Sequence, residues 1–411
     1  MQMHENNITE QEALYELPEG WKWCRLGDVC ETSKEKSEIF SQETKYVGLE
    51  HIDSNGKING YGSAIEIKSL KNIFHKNQIL YGKLRPYLNK HDIADFDGVC
   101  STDILVFNAK KDFSNKYINY FFNLPYFIDF VVSNSKGINL PRVSETIVLD
   151  ISFPLPPTLA EQQRIVNRIE TMFAKLDQAQ EKVQSVLDSF ETRKAAILHK
   201  AFTGQLRIDN EELTIDDWEE KSFSELGTTN LGKMLDANKN TGDDVQYLRN
   251  INVRWFDFDL SDLMTMKAKP EEIKKLSVKK GDLFICEGGE PGRCAVWKDV
   301  DTDMIFQKAI HRFRPNEETS SEFVAYELYY LNQIGKLSDY FTGTTIKHLT
   351  GQSLAKLPIK LPPLNYQLSI VNFLNTVLEK ESRAKEAAQT VLDQIALLKK
   401  SILARAFRGE L

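Results

Sequence analysis

At 411 residues, with 41% hydrophobic and 27% charged side chains, the chain has the length for two to three domains and the composition of an ordinary soluble protein. Its net charge of −7 is unevenly placed: residues 1–19 carry five acids and residues 208–220 seven, with no Lys or Arg in either stretch, leaving 47 acids against 52 Lys plus Arg elsewhere. Charge therefore neither excludes nucleic acid nor argues for it. The first 19 residues hold no apolar run, so no signal peptide or membrane span is expected and the cytoplasm is the default location.

A polar tail, residues 1–16, leads into a first globular domain over 17–157. It opens on Trp21 and a Leu26-Gly27 turn. Lys45-Tyr46-Val47-Gly48-Leu49 and Ile104-Leu105-Val106-Phe107 read as strands, and the aromatic-rich stretch 116–132 reads as helix. Two loops carry chemistry suited to DNA. Residues 81–90 interleave bases, aromatics and an amide, which makes Lys83, Arg85, Tyr87, Asn89 and Lys90 candidates for phosphate positioning and base-edge hydrogen bonds. Residues 135–142 add Lys136, Asn139 and Arg142. Leu155-Pro156-Pro157 closes the domain.

Residues 158–206 then form one long helix. Apolar residues at Ile165, Ile169, Met172, Leu176, Ala179, Val183, Val186, Phe190 and Ile197 follow the four-three steps of a heptad stripe, interrupted at Arg193. Gly204 stands where a helix stop is expected. An acidic linker, 207–213, follows.

The second domain, 214–363, repeats the plan. Trp218 and a Leu226-Gly227 turn open it, Val245-Gln246-Tyr247-Leu248 and 282–286 read as strands, and 322–341 is the aromatic helical stretch. Gly227 to Met234 almost spells a phosphate-binding loop, but Met234 stands where Ser or Thr must hold Mg²⁺, so nucleotide binding is not expected. Its candidate DNA contacts are Arg249 and Asn250 after the first strand, Gly288, Gly289 and Arg293 in Glu287-Gly288-Gly289-Glu290-Pro291-Gly292-Arg293, and Thr344, Thr345, Lys347 and His348 in 343–349. Leu361-Pro362-Pro363 closes this domain.

Residues 364–411 form the second long helix. Residues 370–411 match 165–206 at a constant offset of 205, with 18 of 42 positions identical. The stripe recurs at Ile370, Leu374, Val377, Ala384, Ala388, Val391, Ile395, Leu398 and Ile402, interrupted at Glu381. A helix of about 39 residues is about 58 Å long and cannot bury such a stripe alone. The expected fold is α+β: two globular domains joined by two long helices forming an antiparallel coiled coil, a pseudo-twofold internal repeat. A second apolar line, Leu187, Leu198 and Phe202 with Leu392, Leu403 and Phe407, lies off the heptad seam. It predicts two protein partners, because such a face is otherwise left wet.

The five cysteines, Cys24, Cys30, Cys100, Cys286 and Cys294, form no CxxC pair and read as reduced thiols. His51, His311 and His348 make no metal motif, and the pairs Asp216-Asp217 and Asp243-Asp244 read as solvated. No catalytic centre, cofactor site or metal site is expected on this chain.

Leu155-Pro156-Pro157 with Ala160-Glu161-Gln162-Gln163, the helix ending Ala201-Phe202-Thr203-Gly204-Gln205-Leu206, and their recurrence at the C-terminus resemble the specificity subunit of type I restriction-modification enzymes. Leu17-Pro18-Glu19-Gly20-Trp21, the 287–292 loop and the 343–349 loop look like that family too. The resemblance covers essentially the whole chain. It implies two target recognition domains, each reading half of a split double-stranded DNA sequence, with the helices setting half-site spacing. It also implies a non-catalytic chain that recruits two modification subunits, which carry S-adenosylmethionine and methylate adenine N6, and two restriction subunits, which use ATP and Mg²⁺. The runner-up is a standalone DNA-binding or scaffold protein with a coiled-coil docking spine. Two departures stand out: the second linker, Leu364-Asn365-Tyr366-Gln367, is one residue shorter and lacks the Glu, and the first domain lacks a Gly-Gly-Glu-Pro-Gly loop, so the two half-sites are expected to differ.

Overall fold

The computed structural model describes residues 14–54, 56–65, 67–206, 218–236 and 240–411. Most of the polar tail, the acidic linker and Asp216-Asp217 lie outside the described residues. The chain divides into two units, residues 1–184 with 389–411 and residues 185–388.

In the first unit, hydrophobic and β-branched runs become strands. Ile79–Gly82 is buried along its length and sits centrally in a sheet ordered Cys30–Thr32, Ile104–Ala109, Ile79–Gly82, His91–Ile93. A mixed sheet runs Lys36–Ser37, Lys71–Phe74, Gly98–Cys100, Lys45–Val47, Gly62–Ser63, and Lys22–Arg25 pairs with Ser152–Leu155. The aromatic stretch forms two helices, Asn115–Phe121 and Pro125–Ser133, broken where Pro125 forces Leu124 into extended backbone.

The second unit repeats the strand order of the main sheet and differs in the smaller one. Its main sheet is Gly227–Leu231, Ile310–Pro315, Leu283–Cys286, Cys294–Val296, and a smaller one is Met264–Ala268, Asp243–Leu248, Ile305–Phe306. Glu219–Ser222 pairs with Pro358–Leu361. Here the aromatic stretch is one helix, Ser321–Gln333. The near-phosphate loop is a strand that leads to Lys233, whose ammonium is held at 2.5 Å by Glu272.

The long helices are Leu159–Phe202 and Leu364–Phe407, 44 residues each. Both begin directly after the Leu-Pro-Pro step and end in the same way. Gly204 (φ +69) and Gly409 (φ +73) turn left-handed, and the N–H groups of Gln205 and Glu410 donate back to the carbonyls of Lys200 and Arg405. Inside each unit the two helices run antiparallel. In the first, Arg164 reaches the Leu411 carbonyl and Lys399 meets Asp177 at 2.6 Å. In the second, Lys385 faces Glu191, and the two residues that interrupt the heptad stripes, Arg193 and Glu381, face each other at 3.9 Å. One polar break thus answers the other, as polar seam positions that fix coiled-coil register do. Val186, Val391 and Leu398 of the expected seam remain exposed, since mid-helix each stripe has only the other helix to cover it.

The second apolar line requires correction. Leu198 and Phe202 are buried in the second unit's core, where Phe202 stacks on Tyr330 with centroids 5.4 Å apart. Leu403 and Phe407 are buried in the first unit's core, with Phe407 4.6 Å from the Tyr117 ring and 5.7 Å from Phe121. These four are covered by the chain's own domains and are unavailable to a partner. Leu187 and Leu392, a few turns further from the domains, are half-buried. Heptad arithmetic detected a buried face correctly, but the burial is intramolecular.

The linker motif is structural as well. Gln162 and Gln367 are buried, and their side-chain carbonyls accept from the backbone N–H of Ser114 (3.0 Å) and Ser320 (2.8 Å), the residues that cap the aromatic helices. Among the described residues no helix is long and apolar enough to cross a membrane. All five cysteines are buried free thiols.

Phe202→Ala and Phe407→Ala should each lower unfolding free energy by about 3–5 kcal/mol, the cost of emptying an aromatic core site. Denaturant unfolding of the isolated chain tests this. Unchanged stability would return these residues to the role of a partner surface.

Candidate nucleic-acid interface

In the first domain the two predicted loops are tied together by backbone. Arg85 N–H donates to Pro141 O at 2.7 Å, and Val143 N–H to Lys83 O at 3.1 Å. Asp103 accepts from the Arg142 guanidinium at 3.1 Å and lies 3.9 Å from the Lys83 ammonium, which gathers both cations beside the joined loops. The hydrogen bond to Asp103 raises the Arg142 pKa further above its ordinary value. Arg85 and Asn89, at φ +53 and +44, flank a single 3-10 turn that leaves Tyr87 exposed. Left-handed backbone at two non-glycine residues costs about 1–3 kcal/mol each, so the loop is held by its surroundings.

The second domain builds the same junction. Leu349 N–H donates to Glu287 O at 2.7 Å, as Val143 does to Lys83. Gly288 lies against the His348 ring, with no room for a Cβ, and its carbonyl accepts from the Asn250 amide at 2.6 Å. Arg293 donates to Asn250 O at 2.8 Å and to Glu290 at 2.9 Å.

The structure therefore brings the predicted loops together within each domain but sorts their residues into two kinds. Arg85, Tyr87, Lys136, Asn139, Arg142, Gly289, Thr344, Thr345, Lys347 and His348 are exposed. The remainder are buried or half-buried and are bonded within their own domain. Asn89 is buried and its amide donates to Phe122 O at 2.9 Å. Arg249 is spent on Asp262, through both its carbonyl and its carboxylate, and Asn250 and Gly288 are bonded to each other. Lys83 and Lys90 are half-buried, and Lys90 donates to Leu49 O at 2.7 Å.

Lys90 and Arg293 precede corresponding strands, His91–Ile93 and Cys294–Val296, and each holds a carbonyl in the 3-10 turn that follows Lys45–Val47 or Asp243–Leu248. Cations in polar loops looked like phosphate ligands; only the fold shows that they donate to backbone carbonyls. Asp103 and Asp262, the carboxylates that position Lys83, Arg142 and Arg249, were missed. They are distant in sequence from some or all of those partners, and no local pattern points to them.

A family model for the type I restriction modification DNA specificity domain matches residues 18–187 and 215–391. The chain belongs to that family. Among similar proteins, the type I restriction enzyme EcoDI specificity subunit of Escherichia coli is 35% identical over 208 residues, 49% of this chain and 46% of that protein. This chain thus aligns with about half the length of that relative. The MjaVIII specificity subunit of Methanocaldococcus jannaschii is 24% identical over 438 residues, 99% of this chain and 96% of that protein. The crystal structure of the HsdS subunit from Thermoanaerobacter tengcongensis matches with a TM-score of 0.68 at 21% identity, covering 98% of this chain and all of that one. A chain from a structural study of type I R-M complex assembly and conformational transition matches at 0.77, also with 21% identity, covering 97% and 100%. The likeness in structure establishes the fold.

The shared frame carries different charge in its two copies. Lys83 and Glu287 hold equivalent places in their junctions, their N–H groups bonded to Asp103 O and Ala309 O respectively, so a Lys-Asp-Arg group in one domain corresponds to a Glu-Ala-His group in the other. Two buried groups, His91 and Glu327, are shifted strongly. Burial holds His91, whose Nδ1 donates to Asn119 Oδ1 at 2.8 Å, down to about 4. Burial pushes Glu327 up to about 8, with one oxygen accepting from Lys360 N–H at 3.3 Å.

The signs of the two are opposite. His91 is neutral when folded and gains a proton on unfolding below its ordinary value, so its contribution is intact above about 6.5 and is lost as pH falls toward 4. Glu327 keeps its proton when folded, so stability falls as pH rises from about 4.5 toward 8. Each group contributes a slope of at most about 1.4 kcal/mol per pH unit. Urea unfolding should show the acid-side slope reduced in His91→Gln, and Glu327→Gln more stable than the parent at pH 7.5 but not at pH 4.5. Identical pH profiles for parent and variants would contradict the assignments.

Proposed function

We propose that this chain is the DNA sequence-specificity subunit of a type I restriction-modification complex. Each domain reads one half of a gapped, asymmetric double-stranded target. The helices set half-site spacing and recruit two modification subunits, which bind S-adenosylmethionine and methylate adenine N6, and two restriction subunits, which use ATP and Mg²⁺. The proposal asks for no catalysis from this chain and places it in the cytoplasm. The observation that carries it is the repeated loop junction: one backbone frame, built twice, bears different exposed polar and basic side chains, as two readers of unlike sequences require.

Contact with the modification subunits falls to helix surface the domains do not cover: Val391, Leu397 and Leu398 with half-buried Leu392 in one unit, and half-buried Leu187 in the other. Exposed apolar side chains on a charged helix suit a protein partner better than DNA.

Direct sequencing of N6-methyladenine in the source genome, with and without this gene, tests the reading. Loss of methylation at one gapped, asymmetric motif on deletion is expected; an unchanged methylome while the modification subunit is expressed would overturn it. In the reconstituted complex, Lys347→Ala should weaken binding and, if the lysine meets phosphate, reduce the salt slope by about one. Arg293→Ala should chiefly loosen the second domain's loops, lowering its melting temperature, because the guanidinium is already committed to Asn250 and Glu290.

A further inference from the structure

Each domain projects a hairpin with the same backbone. Lys136 and Arg142 exchange two hydrogen bonds of 2.8 Å, and Thr342 and His348 exchange two of 2.8 and 2.9 Å, each pair enclosing a five-residue tip. Gly137 (φ +107) and Gly343 (φ +92) make corresponding turns, and a Cβ there would meet the carbonyls of Leu140 and Ile346 at 3.0 and 2.2 Å. These tips carry apolar side chains where a loop in water has no use for them. Ile138 is 101% exposed, Ile346 66% and Leu140 45%. Leu140 and Ile346 hold the same place in the two hairpins.

The side chains do nothing for the fold at that exposure. They are also too few to form a protein-docking patch, since each stands among polar and basic neighbours: Lys136, Asn139 and Arg142 in one tip, Thr344, Thr345 and Lys347 in the other. Cations bracketing an isolated aliphatic group suit a surface that is anionic outside and locally apolar within. A DNA groove is such a surface. The major groove, about 12 Å wide, admits a two-stranded ribbon, and its apolar feature is the thymine C5-methyl.

Resting on the proposed function, we propose that the hairpin tips read thymine methyl groups in the major groove, through Ile138 and Leu140 in the first domain and Ile346 in the second. The second tip has Thr344 where the first has Ile138, so it presents less apolar surface and reads fewer methyls.

The test uses the full chain assembled with its modification subunit, and duplexes of the mapped target in which each thymine in turn is replaced by deoxyuridine, which removes the methyl and keeps the pairing edge. Removing one contacted methyl should weaken binding about fourfold, the equivalent of one buried CH₂ group, at one or more positions in each half-site. The Ile138→Ala/Leu140→Ala variant should lose that sensitivity in one half-site only, and Ile346→Ala in the other only. Exposed side chains make these substitutions safe for folding. Uracil tolerated at every position, or sensitivity unchanged in the variants, while the target is still preferred over scrambled duplex, would overturn the inference alone. Absence of any preference for the target would overturn the proposed function with it.

Discussion

The structure depends on how its long helices end. Leu198, Ala201 and Phe202 lie in the core of one unit, and Leu403, Ala406 and Phe407 in the core of the other. The starts of the helices are core elements too: Ile165, Val166 and Ile169 pack in the first unit, and Tyr366, Ile370, Val371 and Leu374 in the second. Each helix therefore begins in the core of one unit and ends in the core of the other, so turning it about its axis would empty packed aromatic sites. Gly204 and Gly409 close the ends with left-handed turns, and the Arg193–Glu381 pair matches the two breaks in the apolar stripes. Helix direction, register and stopping point are all fixed by local chemistry.

On that base, loop architecture is separated from loop reading. Lys90 and Arg293 tie the loops to the 3-10 turns behind them by donating to the carbonyls of Leu49 and Asn250. Asn89 and Gly292 supply the left-handed residue just before them. With the frame held from behind, the tips are free to differ. The exposed side chains Arg85 and Tyr87 in one domain and Thr344, Thr345 and Lys347 in the other can diverge without altering the backbone junction. Exposed positions can then be substituted while the core stays constant.

Much of this was legible in the sequence, for identifiable reasons. The offset repeat announced two copies, β-branched runs such as Ile104–Phe107 marked strands that the fold contains, and Gly204 and Gly409 marked helix stops. What stayed hidden is what periodicity does not encode. A heptad stripe reports that a face is covered, not what covers it, so Phe202 and Phe407 looked like partner contacts. A basic residue in a glycine-rich loop carries the same local signal whether it meets a phosphate or a backbone carbonyl, so Arg249 and Arg293 looked like readers. That Arg249 bonds Asp262 and Arg293 the Asn250 carbonyl follows only from the folded chain.

The central claim is that the last turn of each long helix is part of a domain core. Hydrogen–deuterium exchange on the full chain tests it most directly. The account predicts that amides at Lys200 to Phe202 and Arg405 to Phe407 exchange as slowly as the central strands Leu283–Cys286 and Ile79–Gly82, through opening of the whole domain. Rapid exchange at those helix ends, with the central strands still protected, would show that they fray independently and would contradict it.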